Sequence, residues 1–385
     1  MSPLLQAEQA VLGGILIDPG QLDRLSWLTP DDFFRPVHQA LFAAMRKLQA
    51  DQHPAFAADG QEVPLTWVTD TVAEAGRNVR GLTASYAHTL VAACPRPGNT
   101  PVYGRMVLEG AIHRAVTQHA IRLHQAARAD ALQDGIEGAL HQADILADVL
   151  ADLARRWGTE PRPTAPATTL PPAGTHQPIG ADQAADEEFL LCVLVNQPGA
   201  VDEVVDWLRP ADFADHGHGH LYRCLGALHH RGEPIDQLTA LWEAQRRRLL
   251  TDGTLTVDRL RQICGGLGAG SAEYLGERVI RSSIIRAAAT SARTIRELAS
   301  DEALAPGRLI NHALHALGPL DEVRTRWQRA TASQAKTPPP NPPTRTKRAD
   351  AALARSQPRL PTPLAPALPD STWTPAARPP LRSHS

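Results

Sequence analysis

Aromatic side chains make up only 4% of the 385 residues, and there are three methionines. Ala and Leu carry the apolar content instead, which favours helices over sheets. The four cysteines (Cys94, Cys192, Cys224 and Cys264) form no C-x-x-C, and each sits among apolar neighbours. They read as small buried hydrophobes in a reducing compartment. No run reaches the ~18 apolar residues of a membrane span, and MSPLLQAEQA has no basic region ahead of an apolar one. The expectation is a cytoplasmic chain.

A phosphate loop is also missing. Its glycine spacing occurs once, at Gly265-Gly266-Leu267-Gly268-Ala269-Gly270-Ser271-Ala272. Ser271 stands where the loop needs lysine and Ala272 where it needs Ser or Thr, so neither phosphate nor magnesium would be held. No strand precedes it. The expectation is no nucleotide site, no cofactor and no enzymatic activity.

What the sequence does contain is a long internal repeat. Ala7–Leu48 recurs in looser form as Ala185–Leu228. Two single-residue insertions in the second copy bring Leu12 onto Leu190, Pro19-Gly20 onto Pro198-Gly199, Trp27-Leu28 onto Trp207-Leu208, Asp32-Phe33 onto Asp212-Phe213 and His38 onto His218. A repeat of this length means two similar domains rather than a short-period solenoid.

Within copy one, Leu4–Ile17 reads as a helix, with Gly13-Gly14 permitting close backbone approach. Asp18-Pro19 ends it and starts a second one. Thr29-Pro30-Asp31-Asp32 carries a cap, a first-turn proline and two carboxylates, so the Asp pair reads as helix capping. Phe33-Phe34 are expected in the core, and Val37–Leu48 as the next helix. Leu65–Ala75 and Leu82–Ala93 read as two further short helices. Two long helices follow a proline-rich link at 94–101. Val102–Ala127 has a stripe at Ile112, Val116, Ala120 and Leu123. Its partner repeats apolar residues in heptads at Leu132, Ile136, Ala139, Ala143, Leu146, Leu150, Leu153 and Trp157, the pattern of a helix–helix seam.

Copy two repeats the plan, with Ile280–Leu298 as its long helix and Gly318-Pro319 expected to break or kink the last one. The expected fold is all-α. Two helical-bundle domains, 1–157 and 181–330, each end in a long helical hairpin. A Pro-rich linker, 158–180, joins them, and a disordered basic Pro-rich tail, 331–385, follows. The tail holds thirteen prolines, with eight basic side chains against Asp350 and Asp370. The body is correspondingly acidic, which argues against a general phosphate-binding surface. Pro363-x-x-Pro366-x-x-Pro369 has the spacing of a polyproline II ligand.

The order of Glu8, Leu12-Gly13, Leu16, Asp32-Phe33 and His38, followed by Tyr86 to Leu90, Pro95 to Asn99 and Tyr103, resembles the N-terminal domain of the DnaB-type replicative helicases. Copy two departs from it, with Leu191-Cys192 where Gly13-Gly14 stand. The resemblance covers most of 1–157 and, more weakly, 181–330. It implies a protein of DNA replication without the helicase motor, pairing its two copies through their hairpins or forming a homo-oligomer. It also implies a partner among replicative helicase, primase and helicase loader, and a collar that the fused pair binds or mimics. The exposed hairpin faces put Arg105, Glu109, His113, Arg122, Gln142 and Asp148 forward as partner-binding residues. Two other readings stand beside it. One is an accessory nucleic-acid-binding protein using the basic tail, and the other is a diverged helicase subunit lacking its own ATP site. His216, His218, His220 and Cys224 have a spacing that zinc accepts, but His218 aligns with His38, which has no such neighbours, so a structural role is more economical.

Overall fold

The computed structural model describes residues 2–56, 65–166, 181–197, 199–251, 253, 255–266 and 268–334. The tail beyond Gln334, with its polyproline motif, and linker residues 167–180 lie outside them. Among the described residues there is no strand, and the fold is all-α. The described residues form one compact unit that contains both copies.

Copy one runs α1 (Pro3–Ile17), α2 (Pro36–Ala50), α3 (Leu65–Gly76), α4 (Ala84–Ala93), α5 (Thr100–Gln133) and α6 (Glu137–Trp157). Copy two runs α7 (Ala181–Asn196), α8 (His216–His230), α9 (Gln237–Arg246), α10 (Val257–Cys264), α11 (Ala272–Ser300) and α12 (Pro306–Gln334). In each copy the short helices build a head, and the last two form the long hairpin.

The glycines of α1 are there for space. A Cβ on Gly13 would overlap the Leu90 carbonyl of α4, and one on Gly14 would overlap the Thr100 hydroxyl. Thr29-Pro30-Asp31-Asp32 makes its capping box, with Asp32 accepting from the Thr29 amide at 2.7 Å, but closes only one 3-10 turn. Phe33 turns extended and the long helix starts at Pro36. That break separates the two phenylalanines. Phe33 is 1% exposed, whereas Phe34 is 65% exposed and lies beside the Arg114 guanidinium, contrary to the expectation that both enter the core.

The α6 seam holds from Ile136 to Leu153, all buried, while Trp157 at its end is half-buried. Leu132 departs from it. It belongs to the last turn of α5 and stands 87% exposed, because α5 continues to Gln133 before Asp134 turns left-handed (φ 53°) and reverses the chain. Asp130 then caps the return, accepting from the Ala139 amide at 2.7 Å. Pro319 does not end α12, which runs through it to Gln334, four residues into the segment assigned to the tail. The start of the linker is engaged. The Arg162 and Thr164 amides donate to Asn311, at 2.9 Å to Oδ1 and 3.2 Å to the carbonyl.

The repeat register needs one correction. Glu187, not Asp186, takes the place of Glu8, so a single insertion rather than two relates the copies. It falls between the first helix and Trp207.

Candidate partner interface

Each head is tied to its hairpin by the same polar framework. In copy one, Glu8 is fully buried and accepts from the Phe34 amide (2.5 Å) and from His38 Nδ1 (2.6 Å). In copy two, Glu187 accepts from the Ala214 amide (2.6 Å) and His218 Nδ1 (2.9 Å). A buried carboxylate must be bonded to be tolerated, and these amides and imidazoles do that. Asp32 pairs with Arg156 of α6, and Arg114 of α5 donates to the Asp32 carbonyl. Asp212 pairs with Arg326 of α12, and Arg286 of α11 donates to the Asp212 carbonyl. Gly104 and Gly276 let Trp27 and Trp207 lie against the two long helices. Burial pulls the Arg114 and Arg286 guanidinium pKa values below the usual arginine range.

The two hairpins pack on one another. On α5, His113 places Nδ1 at 3.0 Å from the Ala299 carbonyl and Nε2 at 3.1 Å from the Leu304 carbonyl. Both carbonyls only accept, so a neutral ring donates to one at a time. At the other end of the seam Arg281 donates to the Asp134 carbonyl at 2.5 Å. His113 meets the end of α11 and Asp134 meets its beginning, so α5 and α11 run antiparallel. Arg324 of α12 pairs with Asp144 of α6 through both guanidinium nitrogens.

The six hairpin residues expected to bind a partner are spread out. His113 is used between the copies. Arg105 lies 4.8 Å from the Trp27 ring and 5.2 Å from the Trp157 ring, and donates to the Trp157 carbonyl at 3.0 Å. Arg122 and Asp148 are exposed, while Glu109 and Gln142 are half-buried. Arg105 and Arg122 are separated by about 25 Å of helix, so the six make no single patch.

The histidine run does not converge. His218 is committed to Glu187, His216 stands exposed at the start of α8, and His220 is half-buried. Burial pushes the Cys224 thiol up to about 11, away from the thiolate a metal needs. Among the described residues no three His, Cys, Asp or Glu side chains are grouped to hold a metal. The glycine run beside α10 serves α7. A Cβ at Gly266 would stand 2.9 Å from Cys192 Sγ and one at Gly268 would stand 2.8 Å from the Cys192 carbonyl. Gln197 Nε2 bonds the Gly268 carbonyl at 2.6 Å.

Sequence reasoning missed Glu187 and the four arginines Arg114, Arg156, Arg286 and Arg326. Extending the repeat through the hairpins would have found Arg114 and Arg286. Gly104 and Gly276 align there, and the same step places Arg114 on Arg286.

The DnaB-like helicase N-terminal domain model matches residues 2–109 and 181–266, half of the chain. The chain belongs to that family. It holds the domain twice. Among curated relatives, the replicative DNA helicase DnaB of Geobacillus stearothermophilus is 33% identical over 141 residues, covering 36% of this chain and 29% of the relative. The replicative DNA helicase DnaB of Mycobacterium leprae is 34% identical over 141 residues, covering 35% and 20%. The replicative DNA helicase DnaC of Bacillus subtilis is 31% identical over 158 residues, covering 40% and 32%. The chain thus spans less than a third of the length of the curated relatives it matches. No helix among the described residues is long and apolar enough to cross a membrane.

Proposed function

We propose that this chain is a non-catalytic protein of DNA replication that binds or imitates the collar of a replicative helicase, contacting helicase, primase or loader. One observation carries the reading. Two DnaB-like N-terminal domains in one chain pack hairpin against hairpin, through His113, Asp144, Arg281 and Arg324. A pair closed in this way occupies the surface through which such domains would otherwise join. What it offers a partner is the outside of the pair: the two heads and the outer hairpin faces, with Arg122 and Asp148 among them. The residues present contain no phosphate loop, and the glycine run nearest to one packs on α7, which supports a role in contact rather than in ATP turnover.

The test is a binding titration of the full chain against the same cell's replicative helicase and, separately, its primase and loader. Submicromolar binding to one of them, retained after deletion of 335–385, is expected. Failure with all three, alongside salt-sensitive DNA binding that needs the tail, would overturn the proposal in favour of an accessory DNA-binding protein.

A further inference from the structure

Copy two carries an apolar groove. It lies between the end of α8 and the outer face of α9, is about 350 Å³ in volume, and is lined by Leu228, Glu233, Leu238, Thr239, Trp242 and Glu243. Leu238 is 74% exposed and Trp242 62% exposed, on successive turns of one helix. Large apolar side chains left together in solvent at a concave site are the usual mark of a contact surface.

The same place in copy one is built differently. The position of Glu233 is held by His53, which bonds Asp70 of α3 at 3.1 Å. Eleven residues then separate His53 from Leu65, where copy two has only four between Glu233 and Leu238. The described part of that insert, Pro54–Phe56, lies over α3, with the Phe56 ring edge-on to Trp67 at 5.3 Å. With Leu65 set against Leu238, Trp67 takes the buried place of Ala240, and the exposed Thr69 stands where copy two has Trp242, so copy one presents a polar residue there. The short link of copy two contributes only Pro234 and the half-buried Ile235.

The rim tells what kind of segment fits. Both lining carboxylates are already neutralised, Glu243 by Arg231 at 2.8 Å and Arg247 at 2.7 Å, and Glu233 by Arg231 at 2.9 Å. Arg246 stands one turn beyond Trp242, 3.8 Å from Glu243, and Arg248 follows, both exposed; with Asp236 at the start of α9 counted, arginines exceed carboxylates by four to three. The chain's own tail beyond Gln334 carries eight basic side chains against two acidic ones and would be repelled.

We infer that this groove docks an acidic, leucine-rich segment of a partner protein, its apolar residues against Leu228, Leu238 and Trp242 and its carboxylates toward Arg246 and Arg248. The inference stands whichever protein supplies the segment, so it survives failure of the collar reading.

The test uses the full chain and a fluorescein-labelled amphipathic peptide of about 18 residues, with leucines at helical spacing and glutamates on the other face. A peptide with lysines in place of the glutamates and an oligo-dT strand serve as competitors to the assignment. Wild type is expected to bind the acidic peptide at least about tenfold more tightly than either. Trp242→Ala with Leu238→Ser is expected to weaken it at least about tenfold. Both positions are exposed, so the melting temperature should not move. Arg246→Glu with Arg248→Glu should reverse the preference toward the lysine peptide. Equal binding by wild type and the Trp242/Leu238 variant would overturn the inference, as would stronger binding of oligo-dT. A large gain in peptide binding on deletion of 335–385 would make the tail the occupant. Self-association lost in the Trp242/Leu238 variant would make it a second copy. Either result also overturns the inference.

Discussion

The two copies use one framework and solve its steric problem from opposite sides. In copy one the first helix gives way. Gly13 and Gly14 let α1 sit against the Leu90 carbonyl and Thr100. In copy two the first helix carries Cys192, and the yielding residues are Gly266 and Gly268 on the facing segment. The close approach is therefore what the fold requires, and which chain segment supplies the missing side chain is negotiable. The buried ion pair differs in depth rather than in kind. Asp212–Arg326 is almost sealed, with side chains 1% and 8% exposed, whereas Arg156 reaches solvent at 21% beside Asp32 at 5%. The histidine differs in company. His38 Nε2 meets the Tyr86 hydroxyl at 2.8 Å, while His218 Nε2 has no hydrogen-bond partner and stands 3.8 Å from Glu188.

The largest expected effect comes from the ion pairs. Asp212→Ala leaves Arg326 charged and buried, and should cost about 3–5 kcal/mol in urea unfolding. Asp32→Ala should cost about 2 kcal/mol less, because Arg156 can turn to water. Equal losses would mean that depth of burial is not what separates the pairs. Next is the exchange of small residues. Gly13→Cys, which gives copy one the side chain of copy two, forces a Cβ into the Leu90 carbonyl and should cost about 3 kcal/mol. Cys192→Gly removes a buried side chain that Gly266 and Gly268 already accommodate, and should cost about 1–2 kcal/mol. A third comparison neutralises the buried glutamates. Glu187→Gln and Glu8→Gln should each cost about 1–3 kcal/mol. The copy-two change should be the larger, since His38 keeps Tyr86 and His218 keeps no equivalent. A larger loss at Glu8 would contradict that ranking. Smallest is the intercopy bridge. Arg324→Ala should change stability by no more than about 1 kcal/mol, because Asp144 is half in water.

Much of this was legible because period and punctuation are local. The α6 heptad, the Gly13-Gly14 pair and the stops at Asp18-Pro19 and Cys94–Pro101 all sit where the chain reads them. The misses needed information from another segment. Leu132 fits the heptad of α6 but belongs to α5, and only the left-handed turn at Asp134 decides between the two. Pro319 is tolerated within α12 although local rules stop a helix there. Phe34 follows Phe33 in sequence yet faces water, because one extended residue reverses its direction. The shift from Asp186 to Glu187 is decided by which carboxylate reaches His218, a distance no alignment of two adjacent acids contains. The candidate site was harder still. The six residues offered on the hairpin came from periodicity, which marks an outer face but not which part of it is used. His113 and Arg105 prove to be engaged within the chain itself.

The central claim is that the two domains pair within a single chain, and a distance measured across the α6–α12 contact tests it most directly. Cysteines would be placed at the exposed Asp148 and Glu322 for spin labels. The doubly labelled chain should give a narrow short distance that does not change on dilution with unlabelled protein, and an equal mixture of the two singly labelled chains should give none. A short distance from the singly labelled mixture would show pairing between chains and contradict the account.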